Sequence, residues 1–227
     1  QIILSFFPAK GIFMKITDAC VYPYPAGDSS IRRLALEARS CGYDSIVVPE
    51  TSAAGICGVT VIPGTFLAGI PAKDVQNRIK KSRGSGAVVS VQMGDNGFNR
   101  AVAGTNGVHI IRGIGAADKR AFDHVVARIA AENITAIDID LSPLISGRGH
   151  PRQKAIHRYL DLMVLHRRFE FPLTISSSAR SVLGLRAVRE VAGLCSLFGM
   201  DETDVREALA GVGRATEPRE SIVKVIP

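Results

Sequence analysis

The chain is predicted to be an α/β protein: an irregular TIM-type (β/α) barrel of about seven parallel strands with surrounding helices, in a single domain. Three observations carry this. Short apolar, β-branched runs alternate with helix-forming stretches along most of the chain, the order that builds a parallel sheet. No composition break or linker divides the 227 residues, and single barrels commonly reach this length. No glycine-rich phosphate fingerprint follows the first strand, which argues against a dinucleotide fold.

Residues 15–21 read as the first strand, ended by Tyr22-Pro23-Tyr24-Pro25. Ser29 or Ser30 can cap a helix whose apolar face is Ile31, Leu34, Ala35 and Ala38, with Gly42 closing it. Residues 43–49 form the next strand and 58–62 the third. A polar helix over 73–82 leads to strands at 87–92 and 107–111. The next helix is expected over 118–132, with Asp118 as cap, Phe122, Val125, Val126 and Ile129 as its buried stripe, and Asn133 as its left-handed terminator. Residues 134–141 read as a strand, 152–168 as a long basic helix and 172–176 as the seventh strand. A serine-rich turn carrying Arg180 then enters a helix that brings in Arg186 and Arg189, with Leu185, Val188, Ala192 and Cys195 on its apolar face. Gly199 stops that helix, and Asp201, three residues before Asp204, starts another.

Residues 1–13 are apolar but lack a cationic head and a small-residue cleavage site, so they are expected to be a leader extension ahead of a start at Met14, not a signal peptide. The barrel is expected over 14–215. Residues 216–227 read as a tail, in which Ile222-Val223-Lys224-Val225-Ile226 offers a partner contact. No apolar run reaches the ~18 residues of a membrane span. Cys20, Cys41, Cys57 and Cys195 show no C-x-x-C spacing, so neither a zinc knuckle nor a disulfide framework is indicated, and reduced, buried thiols fit the cytoplasm. The formal charge of +7 favours a polyanionic partner.

Asp18, Glu50, Asp138 and Asp140 fall at or near strand C-termini, where barrels keep their working groups. Two readings stand. Such carboxylates can hold a divalent metal for phosphoester hydrolysis, or they can orient arginines by hydrogen bonding. His109 reads as a core histidine. Ser176, Ser177 and Ser178 lack a nucleophile elbow and read as turn formers, and Cys20 as a small core residue. The basic groups are the stronger signal. Arg78, Lys80, Lys81 and Arg83 close one helix, Arg100 and Arg112 follow strands, and Arg148, Arg152, Lys154 and Arg158 surround another helix start. Arg180, Arg186 and Arg189 cluster at the last strand-to-helix corner. If these runs share one face they form a phosphate-tracking surface; if not, they are solvated and pair with acids such as Glu190. With aromatics at only 6% and none interleaved with the basic runs, recognition by shape and backbone is expected.

The run Ile175-Ser176-Ser177-Ser178-Ala179-Arg180-Ser181, then Leu185-Arg186, Arg189-Glu190-Val191 and Leu197-Phe198-Gly199-Met200, resembles the signature of the archaeal ribonuclease P protein component 3 family. Ser178 stands where that family has an acid, and Val188 where it has proline. Asp18-Ala19-Cys20 with Tyr22-Pro23, Asn99-Arg100 with Ala101, the stretch Ala127-Arg128-Ile129-Ala130-Ala131-Glu132-Asn133, and Ala136-Ile137-Asp138-Ile139-Asp140-Leu141-Ser142-Pro143-Leu144 resemble further family motifs, in order. The resemblance implies a non-catalytic subunit of ribonuclease P, the endonuclease that removes the 5′ leader of precursor tRNA. It implies that the RNA subunit performs a magnesium-dependent hydrolysis while the protein binds no cofactor. Partners would be ribonuclease P RNA, a second small protein (component 2) in a heterodimer or heterotetramer, other ribonuclease P proteins and precursor tRNA. RNA contacts would be Arg78, Lys80, Lys81, Arg100, Arg112, Arg180, Arg186 and Arg189; Asp18, Asn99, Asn133, Asp138, Asp140 and Ser177 would be structural. The related phosphoesterase barrels of the polymerase-and-histidinol-phosphatase type need an H-x-H pair on strand one. Asp18-Ala19-Cys20 removes both imidazoles, and a metal-dependent phosphoesterase remains the alternative.

Overall fold

The computed structural model describes residues 15–82 and 86–217, the side chains of residues 81 and 82 excepted. The expected leader, Arg83 and the apolar run at 222–226 lie outside the described residues. Strands are β1 (Thr17–Asp18), β2 (Ser45–Pro49), β3 (Ala54–Ile56), β4 (Val59–Leu67), β5 (Val88–Gln92), β6 (Ile110–Arg112), β7 (Ala136–Asp140) and β8 (Leu173–Ser176). Helices are α1 (Ile31–Ser40), α2 (Ala72–Ser82), α3 (Asn96–Ala103), α4 (His124–Glu132), α5 (Ser142–Ile145), α6 (His150–Phe169), α7 (Val188–Cys195), α8 (Glu202–Leu209) and α9 (Gly211–Thr216). No described helix is long and apolar enough to cross a membrane.

The sheet runs β1-β2-β4-β5-β6-β7-β8, with every pair along that path parallel. Main-chain bonds then join its two edges: the Ala19 N–H donates to the Ile175 carbonyl at 3.0 Å and the Tyr22 N–H to that of Ala179 at 2.8 Å. The expected irregular TIM-type barrel is therefore present. Alternation sorts its side chains. Ile46, Val48, Val61, Val89, Val91, Ile111, Ile137 and Ile139 belong to the large core between strands and helices. Ala19, Val47, Val88, Ile110 and Ala136 form a second, inner cluster together with Val212 and Ala215. These last two come from α9, which thus floors the barrel at the N-terminal ends of its strands. Gly211 makes that seat available, because a Cβ there would stand 1.9 Å from the Leu173 carbonyl oxygen.

Several elements depart from expectation. The third strand extends to Leu67 and pairs antiparallel with β3, which the sequence reading missed. The loop between them is Cys57-Gly58, with φ of 54° and 82°, the all-positive geometry of a tight hairpin in which cysteine takes the place usual for Asn or Asp. Helix α3 was missed because Asn96-Gly97 reads as a turn; Asp95 caps it by accepting the Phe98 N–H at 2.8 Å. Helix α4 begins at His124, not near Asp118. Asp118 instead accepts the Arg120 N–H, and Asp123 caps the helix through the N–H groups of Val125 and Val126. The stripe is accordingly Val126, Ala127 and Ala130, while Phe122 is buried ahead of the helix, its ring 5.4 Å from that of Phe171. Asn133 is not the left-handed residue: its side chain donates to the Ile129 carbonyl, and Ile134 takes φ of 50°. The helix after the serines starts only at Val188, so Arg186 precedes it. Ser30 caps α1, and Gly199 (φ 83°) and the Asp201–Asp204 capping box are as read.

Asp18 locks the seam. Its Oδ1 accepts the N–H groups of Cys20 and Ser177, at 3.1 and 3.0 Å, so one carboxylate ties β1 to the exit of β8. Its Oδ2 is buried without a partner. Burial outweighs the hydrogen bonds and pushes its pKa up from 3.8 to about 6. The folded chain therefore holds this proton more tightly than the unfolded one. The stability it contributes is complete below about pH 4 and is lost as pH rises towards 6. Asp18→Asn removes that dependence: by urea unfolding, the variant should gain on the native chain between pH 4 and 7, by up to about 3 kcal/mol. A pH-independent difference would refute the assignment. At the barrel floor, Gly211→Ala should cost about 1–3 kcal/mol or more by overpacking. Gly213→Ala, on the same helix with nothing within 4 Å, should stabilise by roughly 0.5–1 kcal/mol, as thermal unfolding of the pair would show.

Candidate nucleic-acid interface at the barrel mouth

The C-terminal ends of the strands surround one buried guanidinium. Arg112 ends β6 in the same inward phase as Ile110, and period-two alternation carries its side chain into the barrel. Its Nε donates to Asp138 Oδ2 at 3.0 Å, its Nη2 to Ser176 Oγ and Ser178 Oγ at 3.1 and 2.8 Å, and its Nη1 to Tyr22 Oη at 3.2 Å. Its central carbon lies 5.5 Å from the centre of the Phe66 ring. Asp138 also accepts from Thr174 and Ser176, so both of its oxygens are engaged. Arg112 is 4% exposed and Asp138 fully buried. Burial opposes the charge on Arg112, yet the Asp138 carboxylate beside it holds its pKa well above the ordinary value. Ser178 reaches Arg112 from a left-handed backbone, φ 48°.

The loop after β1 is wedged against the loop after β8. The Asp28 N–H donates to the Arg180 carbonyl at 2.7 Å, and Gly27 sits so close that a Cβ would come within 2.1 Å of the Tyr22 oxygen and 2.3 Å of the Arg180 oxygen. The Arg180 guanidinium donates to the Ala26 carbonyl and stacks 4.8 Å over the Tyr22 ring, its surface open to solvent. Together these loops border an open cleft of about 980 Å³ lined by Tyr22, Phe66, Gln92, Arg112, Asp140 and Arg180 among others. A smaller cavity of about 500 Å³ lies at the other end, beside α6, α8 and α9, away from this chemistry.

The predicted basic residues do not converge. Arg112 is corrected from a phosphate contact to an internal ion-pair partner, since a buried and compensated guanidinium offers no face to a polyanion. Arg180 stands at the mouth. Arg100 is on the mouth side too, its guanidinium 2.7 Å from the Asp123 carboxylate that caps α4. Arg78 and Lys80 are exposed on the last turns of α2; because α2 leads into β5, they lie at the opposite rim, and the Lys81 side chain is not among those described. Arg189 leaves the mouth as well, whereas Arg186 turns back to Leu183, a residue of the cleft wall. Arg186 donates to the Leu183 and Leu185 carbonyls, and the Val188 N–H to that of Cys41, which caps the far end of α1.

The structural residues hold loops. Asn99 is buried and bonds to both the N–H and carbonyl of Gly94 and to the Ala121 carbonyl. Ser177 accepts the Ala179 N–H, and Asp140 accepts the Ser142 N–H while burial raises its pKa. The metal-site reading is corrected. Glu50 is exposed, Asp18 serves the seam, Asp138 serves Arg112 and Asp140 caps a helical turn. Among the described residues, no group of three or more His, Cys, Asp or Glu could hold a metal. His109 accepts the Val89 N–H as a structural histidine, and burial pushes the Cys20 thiol up to about 11, which keeps it protonated. Sequence reasoning passed over Tyr22, Phe66 and Gln92. The signal was available, since each follows the inward phase or the exit of a strand.

A family model described as RNase P subunit p30 matches residues 15–216. Ribonuclease P protein component 3 of Halorubrum lacusprofundi is 30% identical over 219 residues, covering 88% of this chain and 90% of the relative. That of Methanococcoides burtonii is 29% identical over 200 residues, covering 85% and 83%. Among solved structures, a chain of archaeal ribonuclease P with mature tRNA superposes with a TM-score of 0.73 at 15% identity, covering 88% of this chain and 89% of that one. Histidinol phosphate phosphatase of Lactococcus lactis, complexed with zinc, L-histidinol and phosphate, gives 0.53 at 10% identity, covering 88% and 94%. At these identities the structural likenesses show a shared fold. The family model spans the barrel from β1 to α9, and on that match the chain belongs to the RNase P subunit p30 family.

Proposed function

We propose that this chain is a protein subunit of ribonuclease P that assists a catalytic RNA in removing the 5′ leader of precursor tRNA, and that it supplies no catalytic residue itself. The observation that carries the reading is the family match over the whole barrel. The mouth chemistry supports it: Asp18, Asp138 and Asp140 are engaged by the protein's own donors, and Glu50 stands exposed apart from them. Exposed cations flank both rims, with Arg100 and Arg180 on one side and Arg78, Lys80 and Arg189 on the other. Phosphate neutralisation by such groups lowers repulsion between packed RNA helices, and with it the magnesium the RNA needs. The partners are ribonuclease P RNA, a second small protein of the component 2 type and the other ribonuclease P proteins, working in the cytoplasm with magnesium held by the RNA.

The test is precursor-tRNA cleavage by the reconstituted enzyme, with and without this chain, across magnesium concentrations. The chain should lower the magnesium requirement or raise the rate; no effect at any concentration would overturn the proposal. Two variants divide the arginines by role. Arg180→Ala should raise the magnesium requirement and shallow the salt dependence of RNA binding by about one unit of log–log slope, with thermal stability nearly unchanged. Arg112→Met strands a buried carboxylate and should cost about 3–5 kcal/mol, read as a fall in Tm of roughly 2–4 °C per kcal/mol. Equal Tm for the two variants would contradict the division.

A further inference from the structure

The mouth cleft is not built to hold a phosphate. Arg112 is neutralised by Asp138, Arg180 is turned towards Ala26 and Tyr22, and the lining includes the acids Asp28 and Asp140. It does present an aromatic ring and a carboxamide side by side. Phe66 pairs in register with Ser90, two positions before Gln92, so ring and amide stand on the inward face of adjacent strands. The Phe66 ring is half-buried. The Gln92 side-chain amide makes no hydrogen bond to a described residue, yet it reaches into the cleft. Its place is kept by a glycine: a Cβ on Gly113 (φ 93°) would stand 2.0 Å from the amide nitrogen. An open amide thus sits over the end of β6, beside the half-buried Phe66 ring, which the Arg112 guanidinium overlies at 5.5 Å, and near the hydroxyls of Ser142 and Ser146.

A planar donor–acceptor pair next to a stacking surface matches the edge and face of a nucleobase, which is neutral and suits a lining without net positive charge. A cleft of about 980 Å³ admits it. We infer that the mouth cleft is a binding site for one unstacked nucleobase, its face against the part of the Phe66 ring that Arg112 does not cover and its hydrogen-bonding edge on Gln92. The inference takes from the proposed function only the source of the base, an RNA nucleotide; a free nucleotide presents the same chemistry.

The isolated chain should be titrated with the four ribonucleoside 5′-monophosphates, and with ribose 5-phosphate as a base-free control, by saturation-transfer NMR on the ligand protons. At least one nucleotide should bind saturably, with its base protons receiving the strongest transfer, and ribose 5-phosphate should not compete. Phe66→Leu and Gln92→Ala should each weaken binding about tenfold. No saturable nucleotide binding, or equal competition by ribose 5-phosphate, overturns the inference even if neither variant folds. Chemical probing of the RNA in the reconstituted enzyme distinguishes the sources. A base shielded by the native chain and re-exposed by Gln92→Ala marks RNA as the ligand; nucleotide binding without such a base marks a free nucleotide. Cleavage by the enzyme carrying the native chain tests the ribonuclease P assignment separately, so either reading can fail alone.

Discussion

The Arg112–Asp138 pair is the constraint around which the mouth is arranged. A guanidinium and a carboxylate inside a barrel are tolerable only when their remaining donors and acceptors are also met. Meeting them conscripts Ser176 and Ser178 from the exit of β8, Thr174 from within it, and Tyr22 from the exit of β1. Four strands are thereby referenced to one planar cation. The left-handed backbone at Ser178 follows from the same demand, since it is there that the chain brings a hydroxyl to Nη2. The cleft above the pair takes its floor from these groups.

The seam is the complementary constraint. Regular β1 pairing covers only Thr17–Asp18, too little to close a barrel by ladder alone. Closure falls to scattered bonds: Ala19 to Ile175, Tyr22 to Ala179, and the Asp18 carboxylate bridging to Ser177. A buried, half-satisfied carboxylate is a costly clasp at neutral pH. Glycine at position 27 then lets the β1 loop lie against the Arg180 backbone, so the seam and an exposed mouth arginine share one support.

Much of this was legible in the sequence. Alternating apolar runs and helical stretches determine the barrel because outward-facing valines and isoleucines must meet helices; the inner cluster is smaller and needs α9 to complete it. The hairpin strand β3 was hidden because its residues are exposed or half-exposed and carry no alternation. The α4 start was misread because two aspartates compete for the cap, and only Asp123 stands close enough to the first free N–H groups. The arginines were legible as a set but not as a surface. Their residue type says what they bind, whereas their end of the barrel depends on which element they close. Residues ending a helix fall at the rim opposite those ending a strand, which separates Arg78 and Lys80 from Arg180. Arg112 could have been placed inside, because it shares the phase of Ile110; treating it as following the strand, when it ends it, obscured that.

The floor of the barrel has a consequence for how the molecule comes to exist. Val212 and Ala215 complete an inner cluster whose other members begin with Ala19 and Val47. During synthesis from the N-terminus, the earliest strands emerge long before the short helix that seals them. Until α9 clears the ribosome, the inward side chains of β1, β2 and β5 have no cover at that end. The barrel is thus a vessel whose base is made after its walls.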